Sequence, residues 1–508
     1  LTPIRYIVAL ALILAVAGIL RIVHFADHSL WMDEIWSIEL AMGRDSAHDR
    51  LADGVIHTDQ PDLTGLSSAA PWPAIWTHLS GAVHPPIYFI LLRWWIDLLG
   101  NGPGATRGLS VVFSLAAIPL FFDACRLLHN GRVGLLAAAI MAVAVVQLDY
   151  AQETRGYALL IFLTVAAADA LVRIEKLGAN TWRLAGVSAA MAAMALTHYE
   201  AAGTLLALAV YAAVRLRGPV RKRTLIAITA AALVVLVGWG PWFYQQVALL
   251  HSLFSDFWNN TTATVQSQSY AWRLLSLPVQ YLCGERLLQT LPHWLIIATA
   301  LLTLFLPAVR VAWRPDLLLW VLLAWGTILF VALSDAWHHT TCLQYVRYTL
   351  AASPGIYAAL AATDWPPRPF VRDLAALCAV AALFLAGIVR LQNPMPAKED
   401  WARFADIVQT RTAPGDLLVF FNESNWVSPG TWYMGLKYYA PQSNRPWMTL
   451  HQPADAQVLH RLDGRSSLWL IGLVPENLAG QVLPGWRAVY AAKTSAAIIC
   501  RMVPQNAP

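Results

Sequence analysis

Apolar residues run almost without interruption from the start of this sequence to about residue 391, and lipid is the solvent that tolerates such a chain. The long runs fall near 4–25, 107–125, 133–148, 156–172, 184–199, 201–216, 224–243, 293–309, 315–333, 346–362 and 371–391. A membrane-crossing helix needs about 20 residues at ~1.5 Å each. Only 13% of residues are charged, against about 25% in soluble domains. Soluble chains longer than ~250–300 residues also divide at polar linkers, and none appears before residue 391. The expectation is a polytopic α-helical membrane protein with about eleven spans. The first run lacks a small-residue cleavage site and reads as a retained helix, not a signal peptide. A start at Leu1 in place of Met leaves room for a trimmed N-terminus.

Charge fixes a direction. The formal net charge of +5 forms no basic face, which excludes a nucleic-acid partner. The bases gather between apolar runs, at Arg126/Arg132, Arg173/Lys176/Arg183, Arg215–Arg223, Arg310/Arg314 and Arg368/Arg372. All of these share one side with Arg5 if the short run Ile87–Leu99, which carries Arg93 and Asp97, lies at the interface without crossing. That side is cytosolic. The opposite side then receives 26–106, 149–155, 198–202, 244–292, 334–345 and everything after 391. In the early half of the chain Arg155 reads as the one strong base facing out. The five cysteines lack metal-ligand spacing, and their odd count argues against a full disulfide framework, with Cys283–Cys342 the one pairing worth testing.

Two regions follow: a transmembrane part, 1–391, including the outer loop 26–106 with short interfacial helices, and a small α/β domain, 398–508. In the latter, Asp416–Phe421, Ser467–Leu473, Ala488–Ala492 and Ala496–Cys500 have the apolar content of strands, while Trp401–Thr410 and Thr431–Tyr438 read as helices. The domain either shapes an acceptor site or caps the membrane part. It contains no glycine-rich nucleotide loop.

Candidate chemistry concentrates in the outer segments. Asp33 and Glu34 stand side by side just beyond the first span. They either favour a helix N-terminus or supply a general base. His84 precedes Pro85 and Pro86, which fix the entry to a helix. His84 is a capped start or a contact to a phosphate or an acceptor group, and Tyr88 lines the cavity. In Asp149–Tyr157, Arg155 either pairs with Glu153 or Asp149 or holds a phosphate in its fork of donors. Gln152 and Tyr157 orient that loop or join it in binding. His198 and Glu200 fill a turn or face a cavity. With His338 and His339 they are the residues through which a divalent cation remains open, although no specific ligand spacing supports one. No other cofactor is called for. Arg347, followed by Tyr348, snorkels to the interface or completes a phosphate clamp with Arg155.

Four motifs in order carry a family resemblance: R-x-x-H-F-x-x-H-S-L-W-M-D-E-I-W-S from Arg21 to Ser37, HPPIYF at 84–89, QETRGY at 152–157 and VRYTLAASP at 346–354. Together they resemble GT-C polyprenyl-phosphate-sugar-dependent glycosyltransferases, in the bacterial branch related to protein O-mannosyltransferases and the lipid A aminoarabinose transferase. The resemblance covers about residues 5–365. It implies a GT-C membrane fold in the bacterial inner membrane, with the active site and C-terminal domain on the periplasmic side. It also implies inverting transfer of a monosaccharide from a polyprenyl-phosphate donor to a lipid, glycan or protein of the envelope. Asp33 resembles the family's catalytic carboxylate, with Glu34 its neighbour. His84 and Tyr88 match the second motif, and Arg155 and Arg347 fall in motifs associated with the donor. One departure stands out: the lipid A transferase group often has lysine where this chain has His84. The rival reading is a lipid or polyanion transporter or flippase, which would prefer charge midway through the spans.

Overall fold

A computed structural model of the chain describes residues 3–259, 269–363, 368–392, 399–423 and 427–506. Two compact units emerge. One comprises Leu1–Phe25, Val83–Tyr88 and Arg107–Asn393; the other comprises Ala26–Ala82, Phe89–Thr106 and Pro394–Pro508.

The first unit is helical. Its helices include α1 (Pro3–Ile22); the next two in the chain, α2 (Met32–Ala41) and α3 (Ile87–Leu99), belong wholly or mostly to the second unit. Then follow α4 (Pro103–Leu128), α5 (Gly131–Val143), α6 (Val145–Ala151), α7 (Tyr157–Leu177), α8 (Thr181–Ala195), α9 (Ala201–Arg215) and α10 (Gly218–Asn259). Asn130 and Asn180 cap α5 and α8 by accepting from Val133 N and Arg183 N. Gly178, at φ 80°, ends α7 in a conformation that side chains resist. Among the described residues seven helices are long and apolar enough to cross a membrane, and eight if the bent pair α5–α6 is one span. The other apolar runs form shorter pieces. Helices α8 and α9 have 15 residues each, and 346–361 begins as a 3₁₀ turn before the helix Ser353–Ala361. Helix α3, at 13 residues, spans only about 20 Å of a ~30 Å hydrocarbon core. On α1, Ile4, Ile7 and Leu12 are each more than 60% exposed, as a lipid-facing surface requires.

The segment 244–292, expected as an outer loop, is largely helical where it is described. Helix α10 continues to Asn259, and a further helix covers Tyr270–Leu288; residues 260–268 lie outside the described residues. Pro278 and the polar residues Arg273, Gln280 and Glu285 hide this helix from a hydropathy reading. Its Tyr281 hydroxyl donates to Thr349 O at 3.0 Å, and Tyr357 donates to Tyr281 O at 2.9 Å. All five cysteines are free, so the Cys283–Cys342 bridge is not formed.

Helix packing relies on small residues, as expected where hydrophobic burial cannot drive association. Helix α9 meets Leu318–His338 at Gly203 and Gly326, with the hydroxyls of Thr204 and Thr327 2.7 Å apart. One end of the unit is tied by ion pairs. Arg173 bridges Asp123 and Asp169, Arg215 meets Glu175, His129 meets Asp316, and Arg132 meets Asp373. The basic clusters around Arg126/Arg132, Arg173, Arg215, Arg314 and Arg372 therefore share that end. Residues 152–157 and 196–200 lie at the other, because α7, α8 and α9 each run from one end to the other.

Buried Arg21 holds the break between α5 and α6, which bend by 57°. Its guanidinium donates to Met141 O (3.2 Å), Ala142 O (2.8 Å), Ala17 O (3.2 Å) and the Ser114 hydroxyl (2.8 Å). A broken helix loses intrahelical partners for its last carbonyls, and lipid offers none. Arg21 supplies the donors.

The second unit is built on a five-stranded mixed sheet. Its strands are β1 (Leu418–Phe421), β2 (Trp447–Leu450), β3 (Leu468–Gly472), β4 (Trp486–Lys493) and β5 (Ile498–Pro504), in the order β2-β1-β3-β5-β4. β1 pairs in parallel with β2 and β3, whereas β5 runs antiparallel to β3 and β4. The helices Trp401–Arg411 and Gly430–Tyr439 occur where expected, and the latter forms a crossover between β1 and β2. β2 and the helix Ala456–Leu462 are additions to the expected elements. Val419, Phe421, Met448, Leu470, Trp486 and Cys500 belong to the core. Residues 53–57 cover the β2 edge through Gly54 N to Thr449 O (2.9 Å) and paired bonds between His57 and Trp447 (2.7 and 3.0 Å).

Gly203→Val tests the helix contact. A Cβ there would lie 2.5 Å from Gly326 O, a backbone atom that cannot step aside. The variant should lose about 1–3 kcal/mol of stability, read as a lowered thermal midpoint in detergent, while Gly18→Ala, in open space, should leave it unchanged.

Candidate active site

Three segments meet at Gly156. A Cβ there would touch the Tyr88 ring and the Thr197 methyl, each at 3.4 Å, so glycine lets residues 84–88, 152–157 and 196–200 close together. Ile87 N donates to Leu196 O at 3.0 Å, and Ser110 Oγ donates to Glu153 O at 2.6 Å. The two prolines end their stretch with His84 recessed against the 152–157 loop.

At this junction Arg155 Nη2 lies 2.9 Å from His84 Nε2. A guanidinium only donates, so Nε2 accepts and His84 is neutral with its proton on Nδ1. Arg155 is buried and stands 5.9 Å from the Tyr157 ring centre. The His198 ring is 5.5 Å from that of His84 and 5.6 Å from that of Tyr157. Tyr150 packs edge-on to Tyr157 at 5.0 Å. Burial pushes His84 well below the ordinary histidine range, and the charges of Arg155, His198 and Arg347 push it the same way. Burial raises Glu200, but its ion pair with His198, helped by Arg347, outweighs that and holds it below the usual carboxylate range. Arg347 is flanked by Tyr345 and Tyr348, with ring centres 5.1 and 5.5 Å from its guanidinium carbon.

The first unit thus gathers His84, Tyr88, Arg155, Tyr157, His198, Glu200, Arg347 and Tyr348 of the residues singled out from the sequence. Gln152 is nearby but engaged. Its Nε2 donates to Arg21 O and Val23 O, both at 3.0 Å, and its Oε1 accepts from Arg390 Nη1 at 3.0 Å. It orients the loop. Asp149, one of the two carboxylates weighed as a partner for Arg155, binds Arg390 Nε at 2.5 Å. Arg155 is not the one outward base: Arg21 and Arg107 stand at the same end, Arg107 donating to Phe25 O at 2.8 Å. His338 and His339 are exposed at the end of the helix Leu318–His338, and His339 adopts φ 54°. Among the described residues no three His, Cys, Asp or Glu side chains are grouped to hold a metal ion. The cluster imagined from His198, Glu200, His338 and His339 does not form there.

Asp33 and Glu34 belong to the second unit, in the first turn of α2, and their fates differ. Glu34 is fully buried and turns back so that its Oε2 accepts from Trp31 N at 3.2 Å, half of a capping box. Asp33 is half-buried, and its carbonyl accepts from Ser37 Oγ at 2.7 Å. The turn before it is held by Leu30 N to Tyr439 Oη (2.6 Å) and Met32 N to Glu399 Oε2 (2.7 Å).

Sequence reasoning missed Arg390 and gave Arg21 no role. The available signal was position: each is a base at the end of an apolar run opposite to the basic clusters. Arg390→Met should lower stability by about 3 kcal/mol, because it leaves the Asp149 carboxylate uncompensated. Adding Asp149→Asn should recover most of that loss. Thermal unfolding of the single and double variants measures the coupling.

Residues 83–242 match the family model described as dolichyl-phosphate-mannose-protein mannosyltransferase. That segment contains His84, Tyr88, Gln152, Arg155, Tyr157, His198 and Glu200; Asp33 and Arg347 lie outside it. No curated protein matches the sequence. Among solved structures, ArnT from Cupriavidus metallidurans in the apo state superposes with a TM-score of 0.59 at 15% identity, covering 97% of each chain. ArnT from the same organism bound to undecaprenyl phosphate gives 0.59 at 15% identity, covering 99% of this chain and 98% of that one. The chain is a membrane-embedded protein with the fold of ArnT, and its residues 83–242 match the family model of the protein mannosyltransferases.

Proposed function

We propose that the chain transfers a monosaccharide from a polyprenyl-phosphate donor to an acceptor of the cell envelope, with inversion at the anomeric carbon. The acceptor is a lipid, glycan or protein. The reaction takes place on the periplasmic side of a bacterial inner membrane, to which the active site and the C-terminal domain belong. One observation carries the reading: Arg155, Arg347 and His84 gather at the end of the membrane unit opposite its basic clusters. Undecaprenyl phosphate bound to an ArnT of the same fold supports a lipid-linked donor.

In this reading Arg155 and Arg347 hold the donor phosphate with His84, while Tyr88, Tyr157 and Tyr348 line its surroundings. The acceptor oxygen forms a bond to the anomeric carbon as the bond from that carbon to the phosphate oxygen breaks. Negative charge collects on the departing phosphate, where preorganised guanidinium groups stabilise it more than they stabilise the donor. Asp33 takes the acceptor's proton, and Glu34 shapes the turn that presents Asp33. A donor carried in the membrane also accounts for a site embedded there, because nucleotide sugars are made in the cytosol.

Purified protein in detergent, given a synthetic polyprenyl-phosphate sugar, should release polyprenyl phosphate in step with acceptor glycosylation. Vectorial uptake into vesicles with no release would overturn the reading. Asp33→Asn should keep donor binding and lower turnover by about 10²–10⁴-fold, whereas Glu34→Gln, which retains an acceptor for Trp31 N, should remain active. Equal losses in the two variants would remove Asp33 from the role of base.

A further inference from the structure

The donor and the product of such a transfer differ in charge. A phosphodiester carries one negative charge. The monoester left behind carries up to two, since its second pKa is about 6. The site must therefore accept an additional negative charge as the sugar departs.

In the first unit, three elements bring charged or titratable groups toward His84. The 152–157 loop contributes Arg155 and Tyr157, the α8–α9 connection contributes His198 with Glu200, and the 345–348 turn contributes Arg347 with Tyr348. His198 pairs with Glu200. Two guanidinium groups supply fixed positive charge, and each is buttressed by aromatic rings. His84 is the group placed to change state. It is neutral here because its Nε2 accepts from Arg155. An anion that draws the Arg155 donors to itself frees Nε2 to bind a proton, and the imidazolium can then donate to the same anion.

Resting on the phosphate-binding role given above, we propose that His84 is the proton-coupled member of this site, taking up one proton when a polyprenyl phosphate monoester is bound and returning it when the monoester leaves. The proton comes from solvent and is separate from the acceptor proton, which passes to Asp33. In the bound state the site then presents three positive groups to a dianion, where the neutral site presents two. Histidine makes product retention depend on pH: the imidazolium is lost as pH rises, so the monoester binds more weakly at higher pH.

Titration calorimetry tests this with the full chain in detergent and undecaprenyl phosphate as the probe. At about pH 8, roughly two units above the second phosphate pKa, the free probe is already a dianion. Comparing two buffers of different ionisation enthalpy then counts protons taken up by the protein. The wild-type chain should take up a measurable fraction of a proton, and its affinity should fall as pH rises. His84→Gln, whose amide oxygen still accepts from Arg155, and His84→Lys, whose charge is permanent, should bind the probe without uptake. If the wild-type chain binds no undecaprenyl phosphate, the phosphate site itself fails. Binding without uptake sinks the proton coupling alone, and uptake that persists in His84→Gln assigns the proton elsewhere and overturns the proposal.

Discussion

Arg21 satisfies a backbone that the membrane cannot. A helix that breaks within lipid exposes carbonyls with no water to meet them, and each unmet group costs several kcal/mol. The break between α5 and α6 leaves such carbonyls at Met141 and Ala142, and one buried guanidinium donates to both. The short α6 then departs at 57° and delivers Asp149–Tyr157 to the end of the unit. Gln152 and Arg390 continue the same network, one returning to the backbone of α1 and the other joining the last apolar helix to Asp149. Arg155 therefore sits on a loop held from both sides, while its own guanidinium points to His84. Rigidity in the supporting shell lets an arginine be preorganised toward an anion, because little reorganisation remains when charge develops.

The two ends of the membrane unit use the same residue type for different purposes. At the ion-paired end, arginines meet aspartates and glutamates, as in Arg173 with Asp123 and Asp169 or Arg215 with Glu175. Their charge is balanced locally. At the other end Arg347 faces aromatic rings and Arg155 donates to a neutral imidazole. Aromatic faces and a neutral nitrogen accommodate a guanidinium without cancelling its charge. Burial is the largest cause of the depressed proton affinity of His84, and the charges of Arg155, His198 and Arg347 add to it.

Much of this was legible in the sequence, and the failures have physical causes. Charge patterning separated the basic clusters from Arg155 and Arg347, and the structure joins those clusters by ion pairs at one end. Long apolar runs became helices with little displacement, because burial on all sides demands no special periodicity. The helix Tyr270–Leu288 escaped because its buried polar groups face other protein segments, as Tyr281 does toward Thr349, so its hydropathy resembles that of a loop. β2 is four residues long, and besides its pairing with β1 its outer edge meets the segment around His57, nearly 400 residues earlier, which no local pattern announces. Arg390 looked like the end of an apolar run, and its value appears only once Asp149 and Gln152 are brought beside it.

The adjacent carboxylates show why residue type and position do not decide a role. Asp33 and Glu34 share a helical turn and differ by one methylene, yet that methylene lets Glu34 reach back to Trp31 N and cap the helix. Its carboxylate accepts a hydrogen bond from a backbone N–H and is fully buried. The Asp33 side chain is shorter, and its backbone carbonyl accepts from Ser37 Oγ in the same turn. The division follows from geometry: one side chain fixes the turn, and the turn fixes where the other begins.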